Sequence, residues 1–355
     1  MEDTSMKKIG VLTGGGDCPG LNATIRAVVR KGIIDYSYKI YGILEGWKGL
    51  IDRNIKELDM NSTAGILYRG GTIIGTSRTN PFGKDNKGDP ERILENIKKL
   101  NLHAIVSIGG EDTQGAAFKL SEMGVHVVGV PKTIDNDLPG TDYTFGFDTA
   151  VNIAMEAIDR LHTTAESHNR VMVVEVMGRH TGWIATFAGI AGGADIILIP
   201  EKPVDMDEVY ETIRKRHKRG RNFSIVVVSE GIKLPVEGNE ESGFVLQSTK
   251  KDAFGHVMLG GVGSIIAKMI EEGTGFETRC TVLGHTQRGG SPTAFDRVLG
   301  TRFGIAAMEL IHKGESGKIV VLKGNKIIPI ELKEVLGHYK TVDDYWYDLA
   351  KVFSV

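Results

Sequence analysis

The run Lys8-Ile9-Gly10-Val11-Leu12-Thr13, followed at once by Gly14-Gly15-Gly16-Asp17-Cys18-Pro19-Gly20-Leu21-Asn22, decides how the rest of the chain is read. Its first six residues make a short, nearly unbroken apolar run, as expected of a strand buried on both faces. The small residues that follow form a turn opening into a helix. The same pattern recurs downstream, with further strands expected at residues 103–108, 125–130, 171–176, 195–199, 224–228 and 319–322. Between them lie helical spacings. Val151, Ala154, Met155, Ile158 and Leu161 recur every three to four residues and predict a helix beginning near Asp148. Residues 231–275 read as an excursion loop, polar and glycine-rich around 237–243, and then a helix over 262–272. Strands alternating with helices predict an α/β architecture with mostly parallel sheets.

The composition excludes several classes. The chain has 355 residues, 41% of them hydrophobic and 25% charged, which is ordinary globular material long enough for about two domains. Its 46 glycines, about one residue in eight, exceed the usual ~7%, yet they show no collagen period and Pro is only 10. A net charge of -2 from 43 basic and 45 acidic residues gives no footprint for nucleic acid or a membrane surface. Two distant cysteines, Cys18 and Cys280, suggest a reducing compartment rather than a disulfide framework or zinc site. The first residues, Met1 to Ser5, lack a signal peptide's basic and apolar regions, and no apolar run approaches ~20 residues, so a cytoplasmic location is expected.

Several strand ends carry chemistry. Gly14 to Gly20 would let backbone N–H groups approach a phosphate at a helix N-terminus; the spacing matches neither the dinucleotide fingerprint nor the P-loop. Read alone, it is equally a tight strand–helix turn. In Gly109-Gly110-Glu111-Asp112-Thr113 two adjacent carboxylates would repel a phosphate unless one holds Mg²⁺; ordinary acidic helix capping is the alternative. Pro131-Lys132-Thr133-Ile134-Asp135-Asn136-Asp137 is either a polar turn or a pair of carboxylates, two apart, that can separate in pKa to leave one as a base. Met177-Gly178-Arg179-His180-Thr181-Gly182 and His285-Thr286-Gln287-Arg288-Gly289-Gly290 each place an arginine near glycines; one such arginine alone is more often a surface ion pair. Ligands of open α/β sheets bind at the carboxyl ends of strands, so the repetition points to Mg²⁺-assisted phosphoryl chemistry on an anionic substrate.

Taken together, these blocks resemble the phosphofructokinase family from Lys7 to about Arg302, through Gly14–Asn22, Arg69–Arg78, Gly109–Thr113, Pro131–Asp137, Glu166–Arg179 and Glu277–Arg297. The resemblance implies phosphoryl transfer to O1 of fructose 6-phosphate. Asp135 would take the hydroxyl proton, Thr133 lie beside the transferred group and Arg179 stabilise its charge. Sugar-phosphate binding would fall to Thr133, Asp135, Arg170, Met177, Gly178, Arg179, Glu230, Arg279, His285 and Arg288. Because the family counterparts of Arg170 and Arg279 reach in from a neighbouring subunit, the resemblance implies a homodimer or homotetramer with shared sites. The expected fold is two Rossmann-like three-layer domains: residues 1–148 with 287–336 for the phosphoryl donor and Mg²⁺, residues 149–286 with 337–355 for fructose 6-phosphate.

Two departures bear on the donor. ATP-using members typically carry Gly where Asp112 stands and Gly where Lys132 stands; an aspartate and a lysine there imply inorganic pyrophosphate. Asp112 would set a carboxylate where the α-phosphate of ATP lies, and like unit charges ~4 Å apart cost roughly 4 kcal/mol at an effective dielectric near 20. That corresponds to about three orders of magnitude in affinity. Lys132 would balance the carboxylate and join the catalytic groups. Donor contacts are expected from Gly15, Gly16, Arg78, Asp112 and Lys132, with Glu111 as the metal ligand. An ATP-dependent enzyme and a non-catalytic sugar-phosphate sensor stand as the competing readings.

Overall fold

The opening run forms strand β1 (Lys8–Thr13), buried after its first residue, and helix α1 (Leu21–Tyr36) follows through the glycine turn. The computed structural model describes residues 6–83, 88–234, 246–251, 254 and 257–352. Next come β2 (Lys39–Ile43), α2 (Trp47–Asp52), β3 (Ile55–Leu58), α3 (Pro90–Leu100), β4 (Leu102–Gly109), α4 (Glu111–Glu122), β5 (Val127–Thr133) and β6 (Phe145–Gly146). The second stretch holds α5 (Phe147–His168), β7 (Val171–Val176), α6 (Trp183–Ala191), β8 (Ile196–Leu198), α7 (Met206–Lys218) and β9 (Ser224–Ser229). A two-stranded antiparallel pair, β10 (Leu246–Lys251) and β11 (Val257–Leu259), precedes α8 (Val262–Thr274) and β12 (Thr278–Val282). After a 3₁₀ turn at Gly284–Arg288 the chain forms α9 (Ala294–His312), β13 (Lys318–Lys323), β14 (Lys326–Glu331), a second 3₁₀ turn at Leu332–Val335 and α10 (Asp344–Lys351).

Two sheets result. The larger has the order β14-β13-β5-β4-β1-β2-β3 with β6 on β5, parallel except for the outer pairs β2–β3 and β13–β14. The smaller, β12-β7-β9-β8, is parallel throughout. Each is covered on both faces, which is why its central strands read as unbroken apolar runs. In the larger sheet Val11, Val106 and Val128 pack toward α1 and α9, while Ile105 and Val127 on the other face meet α3 and α4. In the smaller sheet Met172, Val174 and Val227 face α5 and α6, and Val171, Val173 and Val226 face α7 and α8. One core runs unbroken from the inner face of one sheet, through α1, α9, α5 and α6, to the inner face of the other.

All seven expected strands form, with ends shifted by up to three residues. The largest shift is in β5, expected at 125–130 and found at Val127–Thr133, which brings Lys132 and Thr133 onto the strand itself. The helix expected near Asp148 starts at Phe147, where Gly146 turns the chain at φ 97°. The helix expected at 262–272 is α8. The polar stretch 237–243 and residues 1–5 lie outside the described residues. Strands β2, β3, β12 and β14 escape a search for apolar runs. β2 and β3 make an outer antiparallel pair, and β12, an edge strand, reads Thr-Arg-Cys-Thr-Val. No helix among the described residues is long and apolar enough to cross a membrane.

Candidate active site

The chain leaves β1 toward β2 on one side and later fills β4 and β5 on the other, so the carboxyl ends of β1 and β4 open a crevice at a topological switch point. A cavity of about 140 Å³ lies there. Gly15 and Gly16 line it from the β1 turn, Gly110, Glu111, Asp112 and Thr113 from the start of α4, and Lys132 and Thr133 from the end of β5. Arg78, Asp135, Asp137, Arg179, His180, Arg288 and Tyr339 complete most of the remaining wall. Gly15 adopts φ 77°, a conformation costly for any residue with a Cβ. A Cβ on Gly16 would lie 2.6 Å from the Arg288 guanidinium, so glycine is what lets that arginine close on the turn.

Lys132 is only 3% exposed, and burial lowers its pKa. Its ammonium donates to the Gly14 carbonyl at 3.0 Å and to the Gly16 carbonyl, pinning the glycine turn from beneath. Asp112, in the first turn of α4, lines the same cavity. Thr133 Oγ1 accepts from the Asp135 backbone N–H at 3.1 Å, and Thr181 Oγ1 donates to the Asp135 carbonyl at 3.3 Å. Asp135 Oδ1 is buried and has no hydrogen-bond partner, an expensive arrangement unless a ligand supplies one. Burial, and after it the Asp135 charge, pushes Asp137 up to about 7, above the usual carboxylate range. Glu111 Oε1 accepts from the Gly337 N–H at 3.0 Å. The Tyr339 phenol, which lines the same cavity, is pushed up by burial and by the Glu111 charge.

The smaller sheet supplies the facing wall, again from strand ends. Arg179 and His180 follow β7, Glu230 follows β9, and His285 and Arg288 lie in the 3₁₀ turn after β12. Glu230 is pushed up to about 7, first by burial and then by Asp135 and Glu175, against the pull of Arg179 and Arg288. Arg288 donates to the Asp17 carbonyl at 3.2 Å. Met177 and Gly178 lie just behind this wall. Met177 N–H donates to Gln287 Oε1 at 3.4 Å, and the Gly178 carbonyl accepts from Ser229 Oγ at 2.8 Å.

The residues expected to act in the site therefore divide. Gly15, Gly16, Arg78, Glu111, Asp112, Lys132, Thr133, Asp135, Arg179 and Arg288 meet in one cavity, with Glu230 electrostatically coupled to it. Met177, Gly178 and His285 do not line it. Arg170 and Arg279 are far from it. Arg170 precedes β7 and Arg279 is the second residue of β12, at the amino ends of strands whose carboxyl ends carry the site, ~20 Å away at ~3.3 Å per residue. Both contact Glu277, Arg170 at 2.7 Å.

A family model described as Phosphofructokinase matches residues 8–311. The chain belongs to the phosphofructokinase family. It is 55% identical over 347 residues to a pyrophosphate--fructose 6-phosphate 1-phosphotransferase of Streptomyces coelicolor, covering 98% of this chain and 99% of that one. It is also 49% identical to the ATP-dependent 6-phosphofructokinase 3 of the same organism, over 97% and 99% of the two chains. Among solved structures, a pyrophosphate-dependent phosphofructokinase from Marinobacter aquaeolei superposes with a TM-score of 0.78 at 25% identity, covering 96% of this chain and 86% of that one. Phosphofructokinase relatives of both donor types thus match over nearly the full length.

Of the cavity residues that received no role from sequence, three have ionisable side chains: Asp137, His180 and Tyr339. Asp137 was visible as the second carboxylate of its block, and its perturbed ionisation follows from burial that a sequence does not display. His180 sits inside a quoted motif, masked by Arg179. Tyr339 belongs to no motif and lies more than 40 residues from the nearest cavity-lining residue in sequence, so no local signal marks it.

Proposed function

We propose that the protein transfers a phosphoryl group reversibly from pyrophosphate to O1 of fructose 6-phosphate, giving fructose 1,6-bisphosphate and phosphate. The observation that carries this reading is the meeting, in one small cavity, of a buried lysine beneath a glycine turn, four carboxylates, three arginines and a buried aspartate oxygen without a partner. Positioning and electrostatics are what phosphoryl transfer asks of a protein. The division of labour that fits is donor and metal binding by residues 1–148 and 287–336, and acceptor binding by residues 149–286 and 337–355.

On this reading the Gly15–Gly16 turn, Arg78 and Lys132 hold the donor, with Lys132 keeping the turn in shape. Asp135 Oδ1 accepts the proton from the O1 hydroxyl as that oxygen bonds to the terminal phosphorus and the bridging P–O bond breaks. Thr133 and Arg179 flank the transferred group, and Arg288 and Glu230 help hold the acceptor. The donor set suits Mg²⁺. It offers hard carboxylate oxygens, and among the described residues no three His, Cys, Asp or Glu side chains gather closely enough to hold an ion unaided, so phosphate oxygens would share its coordination. Glu111 would be the main protein ligand. Bound Mg²⁺ would neutralise charge developing on the phosphoryl oxygens.

One observation favours the second reading, ATP as donor. A side pocket of about 210 Å³ lined by Asn80, Phe82, Gly115 and Lys119 adjoins the cavity, with Glu111 and Asp112 shared between the two. A nucleotide extending into it would meet the Asp112 carboxylate, which lines both pockets, and this is why pyrophosphate is the stronger reading. Arg170 and Arg279 would reach the acceptor of a neighbouring subunit, making the working unit a homo-oligomer. The assay is fructose 1,6-bisphosphate formation with Mg²⁺ and either donor. Pyrophosphate is expected to support turnover; turnover with ATP alone would reverse the assignment.

A further inference from the structure

Residues 337–342, between the second 3₁₀ turn and α10, place Tyr339 in the cavity lining and bond to both of its walls. On the donor wall the Gly337 N–H donates to Glu111 Oε1 at 3.0 Å, and the Lys340 N–H donates to the Asp137 carbonyl at 2.8 Å. On the acceptor wall the Lys340 carbonyl accepts from Trp183 Nε1 at 2.6 Å. The Val342 N–H donates at 3.0 Å to Glu201 Oε1, an oxygen that also accepts from the Gly182 N–H. Tyr339 joins both walls with one side chain. Its ring stacks on His180, next to Arg179, with centroids 4.5 Å apart and planes 19° from parallel. Its phenol lines the cavity together with Glu111, whose charge adds to burial in raising the phenol's pKa.

We propose that this segment is a strap holding the donor wall in register with the acceptor wall, and that Tyr339 is its positioning residue, acting on the donor through Glu111 and on the acceptor through His180. The inference rests on the reading of Glu111 as a metal-holding carboxylate and of the Arg179–His180 turn as part of the acceptor wall. A phenol suits the task because a flat apolar ring can cover the imidazole while its hydroxyl reaches a carboxylate. Each carboxylate oxygen has two lone pairs, so Glu111 can accept from the Gly337 N–H and be steadied by the phenol and still meet a cation. Such outer contacts orient the ligand, and losing one typically costs 10- to 100-fold in metal affinity or activity, by general experience with metal sites (roughly).

The two functions of Tyr339 can be separated. Tyr339→Phe keeps the stacked ring and removes the hydroxyl. Its Mn²⁺ affinity in the presence of pyrophosphate and absence of sugar phosphate, read by electron paramagnetic resonance, is expected to weaken about 10-fold. KM for fructose 6-phosphate should stay near the wild-type value. Tyr339→Ala removes both contacts and is expected to raise that KM as well, by about 10-fold. Thermal unfolding of both variants reports whether they fold. If Tyr339→Phe binds Mn²⁺ as tightly as the wild type, or folded Tyr339→Ala leaves both donor and acceptor binding unchanged, the strap is merely structural and the proposal fails. The wild-type donor assay stands apart. Absence of turnover with pyrophosphate would overturn the functional reading, while the Mn²⁺ titrations would still report on Tyr339 and Glu111.

Discussion

The two sheets build their halves of the site in opposite ways. The larger sheet assembles the wall we read as the donor side within one chain: the carboxyl ends of β1, β4 and β5 bring the glycine turn, the Glu111–Asp112 pair and Lys132–Thr133 together. The smaller sheet sends Arg179, Glu230 and Arg288 to the cavity but leaves Arg170 and Arg279 at its far end, beside Glu277. Burial differs too. The donor wall holds a lysine almost sealed from solvent, whereas about half of the Arg279 side chain is exposed. On the proposed reading, such a chain is self-sufficient for the phosphoryl donor and dependent on a neighbour for the acceptor. Chemistry and acceptor binding should therefore respond separately to mutation.

The largest effect expected is at the junction of the two halves. Asp135→Ser should lose turnover by roughly 10²–10⁴-fold, the usual contribution of a positioned base, while fructose 6-phosphate binding measured by calorimetry persists. Substantial remaining turnover would place the base elsewhere. Next comes the incomplete half. A chain carrying Arg170→Ala and Arg279→Ala should be nearly inactive, as should Asp135→Ser, yet unfolding and refolding the two together should restore roughly a quarter of wild-type activity. In an isologous dimer half the molecules are mixed, and each mixed dimer keeps one intact shared site. No recovery would mean that each acceptor site lies within one chain.

The smallest effect concerns stability. Glu230 is pushed up to about 7, so in the folded protein it holds its proton where the unfolded chain, near 4.5, has released it. Its contribution is fully present below about pH 4.5 and is lost as pH rises through 7. Glu230→Gln should therefore gain about 1–2 kcal/mol over the ligand-free wild type between pH 5 and 8, by denaturant unfolding. The slope due to Asp137, raised in the same direction, should remain. Equal pH dependence in variant and wild type would show that Glu230 ionises in the folded protein much as it does unfolded.

The same contrast explains what could be read in advance. The donor wall was legible because each piece is local, a strand, a glycine turn and a helix start within about 15 residues, and unbroken apolar runs announce strands covered on both faces. The acceptor wall was legible only as scattered arginines. Nothing in the neighbourhood of Arg170 or Arg279 tells which end of the smaller sheet they occupy until β12, itself hidden by its alternating polar residues, is set beside β7. Tyr339 was invisible for a related reason: its partners, Glu111 and His180, are brought to it by the folding of both sheets. Lys132 shows a third case. Its presence was evident, but its bonds to the Gly14 and Gly16 carbonyls depend on β5 ending beneath the turn.

On the proposed reading, the donor is what separates this chain from its ATP-using relatives, and Asp112 is the residue to ask. The decisive measurement is the ratio of kcat/KM for pyrophosphate to that for ATP, with Mg²⁺ and saturating fructose 6-phosphate, before and after Asp112→Gly. Removing the carboxylate between the cavity and its side pocket should weaken pyrophosphate use, strengthen ATP binding, and lower the ratio by up to about three orders of magnitude. A ratio that Asp112→Gly leaves unchanged would contradict the assignment of donor choice to that carboxylate.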